Sequence, residues 1–258
     1  VLLQAGQFDA AAVPLDRALK LLPPEPDTAY PHYLRAKAYT GQNSVEKAAA
    51  QLMAAVSLRP DFAEAWSDLG QARKTLLDRA GALAAFERAA TLSPEDPVVQ
   101  TRLGSEYFDQ GKIPPAVEHL RDAVRLDPTN QTALYKLQLA LRENGRLDEA
   151  GAIKRRLSEL LLDNDKRAQR ALSAIQINNR GSALEKTGDL RGALEKYRAA
   201  LRLDPAHVGI RVNLGVVLLR LGQTTEGMAE LREALRRDPG NTAARAALEE
   251  ARKRTPAQ

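Results

Sequence analysis

The stretch from Trp66 to Pro94, WSDLGQARKTLLDRAGALAAFERAATLSP, decides the fold because it returns 34 residues later as QTRLGSEYFDQGKIPPAVEHLRDAVRLDP, from Gln100 to Pro128. Seven positions carry the match: Trp66, Leu69, Gly70, Ala82, Phe86, Ala89 and Pro94 become Gln100, Leu103, Gly104, Ala116, Leu120, Ala123 and Pro128. One period upstream stand His32, Arg35, Ala36, Ala48, Leu52, Ala55 and Pro60, which keep the second half of the pattern. One period downstream stand Leu134, Leu137, Gln138, Ala150, Lys154, Leu157 and Leu162, a weaker copy without the closing Pro. The next copy, Ile177, Arg180, Gly181, Ala193, Tyr197, Ala200 and Pro205, comes 43 residues on, so nine residues are inserted. The period then resumes with Arg211, Leu214, Gly215, Gly227, Leu231, Ala234 and Pro239. Gly6, Phe8, Ala11, Leu15, Ala18 and Pro23 match only the back half of a copy, which makes six whole repeats and a partial N-terminal one.

Each copy reads as two short helices. Trp66, Leu69, Gly70 and Arg73 recur at i, i+3, i+4 and i+7, and Ala82, Phe86 and Ala89 at i, i+4 and i+7, so each set marks one helical face. Gly111, Gly145, Gly188 and Gly222 fall between the two, where a helix end favours a residue that accepts positive φ. Gly70 and Ala82 are small where two helices must approach closely, and Phe86 or Tyr197 fills the space between units. The prolines at 60, 94, 128, 205 and 239 end the second helix, since an interior Pro costs about 3 kcal/mol. Pro114 and Pro115 are expected in the first turn of a helix, where a missing N–H is harmless.

This spacing of Trp, Leu-Gly, Ala, Phe, Ala and Pro in a 34-residue period resembles the tetratricopeptide repeat (TPR) family over nearly the whole chain. The resemblance implies an all-α fold, a right-handed α-solenoid superhelix of antiparallel helix pairs whose first helices line a concave inner surface. It also implies a non-catalytic protein-interaction scaffold that holds a partner peptide or helix in that groove. Asn241 to Lys253 reads as a charged C-terminal capping helix covering the last apolar face.

Composition narrows the alternatives. Apolar residues make up 44% and aromatics 4%, with Ala and Leu carrying the apolar share, which favours helix. There is no Cys, which excludes disulfides, thiolate metal sites and a Cys nucleophile, and the three His are far apart in sequence. No phosphate loop, nucleophile elbow, HExxH or paired-carboxylate motif occurs, so no catalytic residue, metal or cofactor is expected. The longest uncharged apolar run, Leu214 to Leu219, is far short of the roughly 20 residues of a membrane span. The net charge of +5 permits an acidic partner, whereas interleaved charges and scarce aromatics argue against nucleic acid. The 27 Arg against 11 Lys suit a GC-rich bacterial genome, with cytoplasm or periplasm both open, as is self-association. The chain begins at Val1 inside a helical pattern, so it is expected to be cut from a longer protein.

The irregularities organise the array. Pro14 falls inside the second helix of the truncated repeat and should fray it. The insertion lies in LLLDNDKRAQRALSAIQI, Leu160 to Ile177, where Asn164 or Asp165 suits an N-cap and no Gly or Pro follows before Gly181. The next helix is expected to be lengthened at its start by two turns or more. The joint would divide one solenoid, 1–258, into sub-arrays 1–163 and 164–258.

Function is sought on the inward columns of the first helices. Family members that clamp acidic C-termini place a Lys in the column Tyr33, Ser67, Thr101, Tyr135, Asn178 and Val212, and its absence here argues against that mode. Asn179 and Asn213, one repeat apart, are similar to the Asn row with which some members hold an extended peptide, since an amide both donates and accepts. Arg102, Lys136 and Arg142 give the middle of the groove a basic tilt, offset by Asp68, Asp109 and Glu143 nearby. Leu139, Val216 and Leu219 form a candidate hydrophobic shelf. The groove candidates are thus Arg102, Tyr135, Lys136, Leu139, Arg142, Asn178, Asn179, Asn213, Val216 and Arg220. A second reading is the substrate-recruiting arm of an enzyme whose catalytic domain lies outside this sequence.

Overall fold

The computed structural model describes residues 26–254 together with Leu15 and Arg17. The partial first repeat, with Pro14, otherwise lies outside the described residues. Among the described residues the regular structure is all helical: a 3₁₀ turn, Pro26–Thr28, and twelve α-helices. The chain divides into two compact units, residues 1–160 and 161–258.

In the first unit the helix pairs are α1 (Ala29–Gly41) with α2 (Val45–Leu58), α3 (Ala63–Thr75) with α4 (Arg79–Leu92), and α5 (Pro97–Asp109) with α6 (Ile113–Leu126). A fourth pair joins α7 (Gln131–Glu143) to the opening turns of α8, a 40-residue helix spanning Leu147–Lys186. From α1 to α7 each helix packs on its sequence neighbour, and α8 joins the cluster of α7 through Ala150, which is the nearest-neighbour stacking of a solenoid. The repeat positions carry this packing. Ala82, Phe86, Ala89, Ala116, Leu120 and Ala123 are each wholly buried. A Cβ added at Gly70 would come within 2.6 Å of the Phe86 ring, so the glycine is what lets α3 and α4 close together. Pro114 and Pro115 sit in the first turn of α6, as expected.

The second unit holds the rest of α8, α9 (Leu190–Leu203), α10 (Val208–Arg220), α11 (Thr224–Arg237) and α12 (Thr242–Arg254). Tyr197 on α9 is fully buried, and its ring occupies the space a side chain at Gly181 would need. The expected capping helix is α12, which packs on α10 and α11 through Ala244 and Leu248.

The expected N-cap at Asn164 or Asp165 is absent, because α8 runs unbroken through both residues. In regular repeats the second helix ends in a four-residue turn such as 59–62, 93–96, 127–130 or 204–207. Here residues 161–173 occupy that place, all helical. With Leu162 at the position of the closing Pro and neither Gly nor Pro between Gly151 and Gly181, no residue type stops the helix.

One hydrogen bond recurs at the joints. Trp66, Gln100, Arg211 and Arg245 occupy the same repeat position, and each donates a side-chain N–H to the carbonyl of the closing Pro60, Pro94, Pro205 or Pro239, at 2.7 to 3.0 Å. That carbonyl sits just beyond the preceding helix, where intrahelical donors have run out. At these four joints the position supplies a donor that need not be aromatic, whereas Leu134 and Ile177 hold the same position without one.

Candidate functional site

In the first unit, side chains of the first helices of successive repeats, α1, α3, α5 and α7, form a ladder of charges from repeat to repeat. The Arg102 guanidinium donates from Nη1 to Asp68 Oδ1 at 2.9 Å and to Ser67 Oγ at 2.7 Å, while Lys37 reaches the other Asp68 oxygen at 3.2 Å. Lys74 lies between two carboxylates, Asp109 Oδ2 at 2.6 Å and Glu106 Oε2 at 2.9 Å. Lys136 Nζ donates to Asp109 Oδ1 at 2.7 Å and lies over the Phe108 ring. Burial alone would raise the Asp109 carboxyl, yet the Lys136 and Lys74 ammoniums hold it below its ordinary value. Desolvation opposes the charge on Lys74, and its two carboxylates outweigh it.

The basic tilt expected from Arg102 and Lys136 is therefore largely spent inside the array, in partly exposed pairs each worth about 0–1 kcal/mol. Asp68 and Asp109 serve these residues, whereas Glu143 serves neither. Arg142 is exposed and has no side-chain partner among the described residues. Tyr135 is half exposed, and Leu139 is partly buried one turn further along α7.

In the second unit the amides meet in a register one residue from the expected one. Asn213 Nδ2 donates to Asn178 Oδ1 at 2.9 Å, and Asn178 Nδ2 points to Asn179 Oδ1 at 3.4 Å. The rung thus joins Asn178 to Asn213, and Asn179 stands exposed at its outer end. Asn213 Oδ1 and a second N–H on each amide remain unclaimed. One and two turns along the same face of α10, Val216, Leu219 and Arg220 line a cavity of about 400 Å³ closed by Ala247, Glu250 and Ala251 of α12. Val216 and Leu219 also pack against the cluster around Leu231 and Leu248, so the cap covers part of the expected shelf.

Arg220 Nη1 donates to Glu185 Oε1 at 2.6 Å. Glu185 also accepts from the Tyr197 hydroxyl at 2.7 Å. Burial first, and then Glu185, push the Tyr197 phenol up to about 12. Tyr33, Ser67, Glu106 and Glu185 were not among the candidates, since sequence spacing marks a column but not which neighbours on the adjacent helix bond across it.

Comparison with known proteins settles the family. The model described as "Tetratricopeptide repeat" matches residues 33–97 and 178–242, half of the chain, and a second, "TPR repeat", matches 104–145. The chain belongs to the tetratricopeptide repeat family. This TPR chain is 35% identical over 167 residues to the cytochrome c-type biogenesis protein CycH of Pseudomonas aeruginosa, covering 64% of the chain and 37% of that protein. It is 28% identical over 185 residues to the cellulose synthase operon protein C of Pseudomonas fluorescens, covering 67% of the chain and 14% of that protein. The TPR chain thus spans about a third of the first of these relatives and less of the second. Among solved structures, MamA superposes with a TM-score of 0.57 at 24% identity, covering 63% of this chain and 94% of that one. The Cut9–Hcn1 hetero-tetramer of the APC/C gives 0.51 at 18%, covering 97% and 47%. Both likenesses show the fold, an α-solenoid. The TPR fold is generally a non-catalytic scaffold for protein interactions, and no described helix is long and apolar enough to cross a membrane.

Proposed function

We propose that this TPR chain recruits a partner protein by holding an extended segment of it along the first helices of the second unit. The observation that carries this reading is the Asn178–Asn213 rung beside the apolar cavity on one face of α10. Amides with free donors and acceptors read a peptide backbone irrespective of sequence, and the neighbouring hollow takes one apolar side chain, which supplies affinity through burial. Arg220 keeps guanidinium N–H groups beyond the one Glu185 uses, so it suits an acidic residue beside that anchor. Taken by itself, the first unit offers a partner exposed Tyr135 and Arg142, which has no side-chain partner among the described residues.

Affinity capture with wild type and an Asn178→Ala, Asn213→Ala double variant tests this. Two backbone hydrogen bonds lost at about 1 kcal/mol each predict a loss of roughly tenfold or more in recovered partner, with helicity by circular dichroism unchanged. Equal recovery from both proteins would sink the reading. The small share of its relatives that the chain spans supports a second one: a recruiting arm of a larger protein, including an enzyme, that carries another domain. The length of the gene product decides between an arm and a free-standing scaffold.

A further inference from the structure

The chain's basic excess is not shared between its two units. Residues 161–258 contain 18 Lys and Arg against 12 Asp and Glu, a net +6, whereas residues 1–160 contain 20 against 21, a net −1. Part of that charge is neutralised locally: Arg167 pairs with Asp163, Arg198 with Glu226, Arg211 with Glu230, Arg220 with Glu185, and Arg236 and Arg237 with Glu233. Among the exposed cations of this unit that have no carboxylate partner among the described residues, Lys166, Arg170, Lys196 and Arg202 are the ones that line hollows. They line two hollows. The first, about 300 Å³, is lined by Lys166, Gln169, Arg170 and Ser173 of α8 and by Leu203 of α9. The second, about 330 Å³, is lined by Lys196, Arg198, Ala199 and Arg202, with Glu195 as its single carboxylate. Both take a residue from the last turn of α9, Leu203 in the first and Arg202 in the second.

We propose that this surface is a docking site for an acidic segment of a partner protein, separate from the face of α10 that carries the amide rung. The first hollow owes four of its five lining residues to 161–173, the stretch that replaces a four-residue turn. The extra turns of α8 therefore build a wall where other repeats have none. Guanidinium forks at Arg170 and Arg202 match carboxylates in geometry, Lys166 and Lys196 add point charge, and Leu203 and Ala199 give an apolar floor for the stems of Glu side chains.

Single-stranded nucleic acid fits the surface less well, because bases need exposed rings to stack on and the one Tyr, Phe or Trp in 161–258 is Tyr197, which is fully buried. An anionic bilayer also fits less well. The exposed apolar residues of this part of α8 are Leu161, Leu162, Leu172 and Ile175; Asp165 interrupts the row from Leu161 to Ile175, Leu162 lies off it, and the one aromatic of 161–258, Tyr197, is buried.

The test uses the full 258-residue chain and a fluorescent decaglutamate peptide, read by anisotropy at low and high salt. Arg170→Glu with Arg202→Glu reverses two cations of the site, and Arg252→Glu with Lys253→Glu makes the same charge change at exposed positions of α12. The proposal expects salt-sensitive binding that the first pair of changes weakens by about tenfold or more and the second by less than about twofold, with helicity unchanged in both. Absence of peptide binding, or equal loss in the two variants, would overturn it. So would tighter binding of phosphatidylserine vesicles or oligo-dT than of the peptide.

Discussion

Leu77 holds a backbone conformation that its side chain opposes. Its φ is +64°, and the same turn position carries Gly111, Gly145, Gly188 and Gly222 with φ between +73° and +89°, and Asn43 at +56°. A left-handed residue with a Cβ costs about 1–2 kcal/mol, and Leu77 is 83% exposed, so its side chain returns little packing. Leu77→Gly should therefore stabilise the first unit by about 0.5–1 kcal/mol after the entropy of a glycine is counted, read as a higher urea midpoint at unchanged slope. An unchanged or lower midpoint would mean the turn relaxes at no cost. The glycines were legible in the sequence because glycine advertises its conformation; Leu77 was not, because nothing in a leucine signals positive φ. The same limit applies to the amides. A period of 34 pairs Asn179 with Asn213, but the structure pairs Asn213 with Asn178, since contact across two packed helices depends on their rotation as well as on repeat register.

At the scale of the element, α8 shows how a missing stop signal becomes structure. Sequence spacing located the insertion and its helical character, and suitable capping residues suggested a fresh start at Asn164 or Asp165. A capping side chain acts where a helix has already been interrupted, and Leu162 does not interrupt it. Placing proline there separates the two arrangements. In a helix that begins after residue 163, Leu162→Pro would restore the repeat pattern at no expense. In the continuous helix it removes an i→i−4 bond and clashes with the preceding turn, so the expectation is a loss of about 3 kcal/mol with reduced helical ellipticity. Unaltered ellipticity and stability would favour the interrupted form. The first hollow of the proposed acidic-segment site depends on the same turns of α8, so the variant should also weaken decaglutamate binding.

Across the whole molecule, the charged columns hold neighbouring repeats together more than they advertise a ligand, and this explains why the fold was readable and the site only partly so. A 34-residue period marks which residues occupy equivalent positions; whether Arg102 or Lys136 is available to a partner depends on Asp68 and Asp109 on the first helix of the neighbouring repeat. Three tyrosines spread over both units offer a global readout of such burial. Burial first, then neighbouring carboxylates, push Tyr33, Tyr107 and Tyr197 up to about 12 from an ordinary 10.0. Asp68 acts on Tyr33, Glu87 on Tyr107 and Glu185 on Tyr197. Each phenol keeps its proton in the fold at a pH where the unfolded chain has released it. The stability each contributes is complete below pH 10 and is lost as pH rises towards about 12, so unfolding should become easier over that window in both units. Tyrosinate absorbance followed alongside circular dichroism checks this. The late-ionising tyrosines should titrate together with loss of helix, and Tyr197→Phe should flatten the alkaline limb of stability for the second unit. Ionisation of these three side chains near pH 10 in a fully helical protein would contradict it.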